Sequence, residues 1–63
     1  MKNNIGDIRK SLALSQEDLA KKTGVSRQTI NAIENGKFDP SLGLVFKLID
    51  ALGKPLNEIF IND

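Results

Sequence analysis

Arg27, Gln28, Thr29 and Asn31 stand close together in a stretch that holds no acid before Glu34. Arginine presents paired N–H donors in one plane, glutamine and asparagine each set a donor beside an acceptor, and threonine adds a methyl group to its hydroxyl. Guanine O6 and N7, adenine N6 and N7, and the thymine methyl offer the complementary pattern along the major groove of a duplex. A helix carrying these side chains outward can read base edges, provided its other face is held rigidly. On an arbitrary helix the same residues are no more than a solvated face, so the elements around them decide the matter.

Much other chemistry is excluded. The sequence has no cysteine and no histidine, which removes disulfides, zinc-finger ligation and any nucleophile that relies on an imidazole base. No paired carboxylates or phosphate-cradling loop can be assembled, so neither an enzyme nor a cofactor or metal site is expected. The net charge of +1 says little, but its distribution says more. From Lys21 to Lys37 the cations Lys21, Lys22, Arg27 and Lys37 face Glu34 alone, whereas residues 38–63 set Lys47 and Lys54 against Asp39, Asp50, Glu58 and Asp63. A basic segment within a near-neutral chain suits a polyanion, although exposed lysines such as Lys21 and Lys22 are ordinarily just solvated. No apolar run approaches the ~18 residues of a membrane span, and the N-terminus lacks the apolar stretch of a secretory signal. A cytoplasmic location is expected.

The spacing of apolar residues predicts an all-α fold of five helices in one domain over residues 1–63. Ile5, Ile8, Arg9 and Leu12 fall on one helical face, with Asn3 or Asn4 as cap and an end near Leu12 to Leu14. Ser15 and Asp18 form a short capping box that opens a second helix with Leu19 and Ala20 inward. Gly24 suits the left-handed conformation that closes it. Val25 is expected to be buried, and Ser26 caps a third helix over about 26–34, with Ile30 and Ile33 inward. Ala20 is small, as a close crossing of two short helices requires. Asn35-Gly36 stops the third helix, and Asp39-Pro40-Ser41 starts a fourth whose predicted stripe is Leu42, Val45, Leu48, Ile49 and Leu52. Leu44 and Phe46 flank that stripe, as rim-of-core or dimer contacts. Gly53 ends it, and Pro55 suits the first turn of a brief fifth helix with Leu56, Ile59 and Phe60. The run Ile59-Phe60-Ile61-Asn62-Asp63 favours extended backbone and is able to form a short C-terminal β-strand. Arg9, a cation on an apolar stripe, needs a partner to offset its desolvation, and Glu34 is the obvious one.

Residues 15–37, SQEDLAKKTGVSRQTINAIENGK, resemble the helix-turn-helix of the lambda-repressor and Cro family, also called the XRE family. The resemblance rests on Gln16, Leu19-Ala20, Gly24-Val25-Ser26, Ile30 and Glu34-Asn35-Gly36 in register, and is strongest to minimal stand-alone regulators. It implies a lambda-repressor-like domain that binds double-stranded DNA through Gln16, Ser26, Arg27, Gln28, Thr29, Asn31, Asn35 and Lys37. Within that set, Arg27 and Gln28 match base-reading positions, Thr29 a base or phosphate contact, and Asn31 a flanking contact. Gln16 matches a phosphate ligand that often orients the first reading side chain, and Asn35 and Lys37 match a backbone-clamping turn. Arg9 and Glu34 match a structural ion pair. Ala32 departs from relatives that carry a polar reading residue there, which leaves specificity to Arg27, Gln28 and Asn31. A repressor acting as a homodimer on a palindromic operator is expected, paired through Phe60, Ile61 and the fourth helix. A chain this small gains core by pairing, and one recognition helix offers few base contacts. The alternative is a protein-interaction module, such as the antitoxin of a toxin–antitoxin pair.

Overall fold

Three serines decide where the longer helices begin. In the computed structural model, which describes residues 1–62, the helices are α1 Ile5–Ser11, α2 Gln16–Thr23, α3 Arg27–Glu34, α4 Leu42–Leu52 and α5 Leu56–Ile59. Ser15 Oγ accepts from the Asp18 N–H at 2.9 Å while the Ser15 N–H donates to Asp18 Oδ2 at 2.9 Å, the reciprocal box expected for α2. Ser26 Oγ accepts from the Thr29 N–H at 3.1 Å, and Ser41 Oγ from the Leu44 N–H at 3.2 Å. Gly24, at φ 75°, and Gly53, at φ 67°, close α2 and α4 in the left-handed conformation.

At α1 the two candidate caps divide the work. Asn3 Oδ1 accepts from the Ile5 N–H at 3.2 Å, whereas Asn4, in the cap position, turns its amide to the Glu58 carbonyl at 3.1 Å. The helix ends at Ser11, slightly earlier than its apolar pattern suggests. The turn that follows places Ala13 at φ 58°, a left-handed conformation that costs an L-residue ~1–2 kcal/mol.

Ile5, Leu19, Ile30, Ile33, Leu48 and Ile59 are fully buried, with Leu44, Leu52 and Phe60 closing the core around them. Helix α2 packs on both α3 and α4. The stripe of α4 differs from the predicted one: the buried row is Leu44, Leu48 and Leu52, Val45 and Ile49 are partly buried beside it, and Leu42 is 68% exposed. This helix is apolar over most of its circumference, so periodicity alone offers two adjacent rows. Packing against α2 selects one of them. Val25 is half-buried rather than buried, and Leu12 is exposed.

Of the C-terminal run, Ile59 still belongs to α5 and Phe60 is extended, and the segment pairs within its own chain as a single bridge. Phe60 opposes Asn3 in antiparallel sense, the Asn4 N–H donates to the Ile59 carbonyl at 2.7 Å, and the Ile61 N–H to the Lys2 carbonyl at 2.9 Å. Among the described residues the fold is therefore all-α with five helices and no strand; Asp63, the last residue of the expected strand, lies outside them.

Candidate nucleic-acid interface

The turn between α2 and α3 fixes the attitude of α3. After Thr23 the N–H groups of Gly24 and Val25 both donate to the Ala20 carbonyl, at 2.8 and 3.1 Å, and the chain is at once recapped by Ser26. Ile30 and Ile33 are buried at 1% exposure against the core that holds Leu19 and Ala20. With one face locked in this way, Arg27, Gln28 and Asn31 emerge together on the opposite face, all exposed. The side chains of Arg27 and Gln28 make no hydrogen bond or ion pair with any other described residue. Their donors and acceptors are thus available to a ligand.

The remaining expected residues are partly engaged. Thr29 is half-buried and its hydroxyl lies 3.0 Å from that of Ser26, whose oxygen also caps α3. Asn35 donates through Nδ2 to Asn31 Oδ1 at 3.1 Å, joining the outward face of α3 to the turn after it. That turn closes through the Gly36 N–H on the Ile33 carbonyl at 3.0 Å and the Lys37 N–H on the Ala32 carbonyl at 2.9 Å, with Gly36 at φ 72°. Lys37 is exposed immediately beyond it.

Gln16, at the start of α2, is half-buried and donates through Nε2 to Glu34 Oε1 at 3.3 Å. The resemblance implies that this residue orients the first reading side chain. Here its amide N–H goes to the carboxylate at the end of α3. The expected ion pair is present: Arg9 Nε donates to Glu34 Oε2 at 2.8 Å, Nη2 to Oε1 at 3.2 Å, and Nη1 to the Leu14 carbonyl at 2.9 Å. Arg9 is 8% exposed, and no buried side-chain N or O among the described residues lacks a partner.

Asn3 has a second task that helical patterning does not reveal. Its Nδ2 donates to the Ile33 carbonyl at 2.8 Å, tying the N-terminal segment to the last turn of α3. Beyond α3, the Met1 amino group meets Asp39 Oδ1 at 3.1 Å. Neither contact has a local sequence signal, since each joins residues far apart in the chain.

An outward polar face on the second of two short, tightly joined helices is the geometry of a helix-turn-helix reader, and the sequence pattern of the family described as "Helix-turn-helix" matches residues 5–59. The chain belongs to the lambda-repressor/Cro-like (XRE) helix-turn-helix family. An uncharacterized HTH-type transcriptional regulator of Methanocaldococcus jannaschii is 57% identical to it, over 97% of this chain and 92% of that protein. A Bacillus subtilis protein described in the same terms is 40% identical over 95% and 91%. Among solved structures, the restriction-modification controller protein C.AhdI from Aeromonas hydrophila superposes with a TM-score of 0.81 at 34% identity, covering 89% of this chain and 85% of its own. This helix-turn-helix protein is accordingly a DNA-binding transcriptional regulator and not an enzyme.

A second surface lies at α4, α5 and the C-terminal segment. Pro40, Leu42, Val45, Leu56, Phe60 and Ile61 line an open groove of about 540 Å³ there. Leu42, Leu56 and Ile61 are exposed large apolar residues, as is Phe46 on α4, while Phe60 is mostly covered by its own chain. No described helix is long and apolar enough to cross a membrane, and the described residues hold no cluster of three or more His, Cys, Asp or Glu placed to bind a metal.

Proposed function

We propose that this regulator is a repressor that binds a palindromic operator as a homodimer, with α3 in the major groove and residues 1–63 acting as one DNA-binding unit in the cytoplasm. The observation that carries the reading is the unengaged, exposed pair Arg27 and Gln28 on a helix whose opposite face is locked by Ile30 and Ile33. Arg27 and Gln28 read bases, Asn31 and Thr29 make flanking contacts, and Gln16, Ser26, Asn35 and Lys37 hold the phosphates. Asn31 keeps both amide hydrogens for an acceptor on the DNA, while its Oδ1 accepts from Asn35.

Pairing is supported by the second surface. Exposed apolar side chains on α4, α5 and the C-terminal segment are costly to leave in water, and a second copy offers the same apolar groups for self-complementary packing. Leu42, Phe46, Leu56 and Ile61 carry that seam, with Phe60 beneath it. Two recognition helices then fall on half-sites about one turn, ~34–36 Å, apart and block access of polymerase to the promoter.

Selection of bound duplexes from a random pool tests the reading in one step. A two-fold symmetric sequence with half-sites one helical turn apart is the expected product. Recovery of unrelated sequences, with no salt dependence of binding, would overturn it.

A further inference from the structure

We infer that Glu34 is a positioning residue for the DNA contact of Gln16, beyond its part in the ion pair with Arg9; the inference rests on the assignment of Gln16 to a phosphate. The two oxygens of Glu34 do different work. Oε2 accepts the closer bond from Arg9, at 2.8 Å, and Oε1 accepts both Arg9 Nη2 at 3.2 Å and Gln16 Nε2 at 3.3 Å. The guanidinium is itself held by the Leu14 carbonyl at 2.9 Å, so the carboxylate sits on a support anchored in α1 and the turn before α2.

A hydrogen bond to a carboxylate is stronger than one between neutral groups. Gln16 therefore gives one amide hydrogen to Glu34, which fixes its side chain over the first turn of α2. Its second amide hydrogen stays available to a phosphate oxygen. Freezing a long side chain before the ligand arrives lowers the entropy lost on binding. The neighbouring glycine is part of the device: a Cβ at Gly6 would come within 3.1 Å of Glu34 Oε1, closer than a comfortable contact. Gly6 thus leaves the space in which Oε1 can face Gln16. Residues of α1, α2 and α3 converge on this one oxygen, and all but Glu34 lie outside the recognition helix.

A double-mutant cycle on a selected duplex tests the inference, with Gln16→Ala, Glu34→Gln and Gly6→Ala each measured alone and each of the last two combined with Gln16→Ala. Circular dichroism and thermal unfolding confine the comparison to folded protein. Gly6→Ala keeps every charge and improves helix propensity, so it serves where Glu34→Gln does not fold. The expected result is that Gln16→Ala weakens binding by ~3- to 10-fold. Gly6→Ala and Glu34→Gln should weaken it within that range, and should add little once Gln16 is alanine. The salt slope should stay unchanged, since no cation is lost. Equal losses with and without Gln16 would overturn the positioning role, as would an unaffected Gln16→Ala protein. Arg27→Ala is the control: if it too bound normally, the reading of α3 itself would fail, whereas a weakened Arg27→Ala beside an additive cycle refutes the role of Glu34 alone.

Discussion

The outward face of α3 and the outward face of α4–α5 are both exposed, yet they are built in opposite ways. The first is polar, and everything behind it is fixed: Ser26 caps it, Ile30 and Ile33 lock it, and Asn3, Glu34 and Asn35 tie its far end. The second is apolar and incomplete, with Leu42, Leu56 and Ile61 in water around an open groove and Phe46 exposed on α4. A surface of fixed donors and acceptors suits a ligand of fixed geometry such as a duplex. A surface of exposed hydrocarbon suits a partner that offers the same.

The largest effect that should separate the two faces is on folding. Ile30→Ala, at a site 1% exposed, should cost ~2–5 kcal/mol of stability, enough to unfold much of a domain this small, by thermal or urea denaturation. Leu42→Ala, at a site 68% exposed, should alter unfolding of the dilute protein by no more than ~0.5 kcal/mol. Its effect should appear instead as weaker self-association in sedimentation. A similar loss of fold from both variants would erase the distinction.

Next in size is DNA affinity. Arg27→Ala should lose ~1–3 kcal/mol on a selected site and relax preference at one base position, whereas Lys37→Ala should weaken all sequences alike and reduce the salt slope by ~1. Competition binding across single-base variants of the site distinguishes the two patterns.

Smaller changes probe the scaffold that supports α2. Ala13→Gly should stabilise the protein by ~0.5–1 kcal/mol, since it relieves a left-handed alanine at φ 58° at some cost in unfolded-chain entropy. Chemical denaturation measures it, and a destabilised variant would show that Ala13 is not strained. The least effect is in acid. The Ser15 backbone N–H, followed by the Ser15 hydroxyl, holds the Asp18 carboxyl below its ordinary value of 3.8. A depressed carboxylate contributes stability above its unfolded value and loses it as pH falls through the folded one. The capping box should therefore weaken only below about pH 4, and Asp18→Asn should flatten that part of the stability–pH curve.

Local chemistry made most of this legible from the sequence. Caps at Ser15, Ser26 and Ser41, glycines at 24 and 53, and the inward isoleucines of α3 are all short-range signals, and they stand where patterning places them. Arg9 and Glu34 were also readable, because a cation on an apolar stripe demands a counter-charge. Long-range choices were less readable. Which row of α4 faces inward depends on α2, and leucines on adjacent rows carry no mark of it. The C-terminal segment favours extended backbone by composition, but its pairing with residues 2–4 is a matter of tertiary closure. The link from Gln16 to Glu34 was hidden for the same reason: each residue has an adequate local role, and only the crossing of α2 and α3 brings them together.

Residue-resolved NMR titration of the protein with a duplex recovered by selection compares the two faces in a single experiment. Amide and side-chain shifts should concentrate at Gln16 and at residues 26–37, while signals of Leu42, Phe46, Leu56 and Ile61 respond to protein concentration. Shifts confined to α4, α5 and the C-terminal segment, with Arg27 and Gln28 silent, would contradict the assignment of α3 as the reading element.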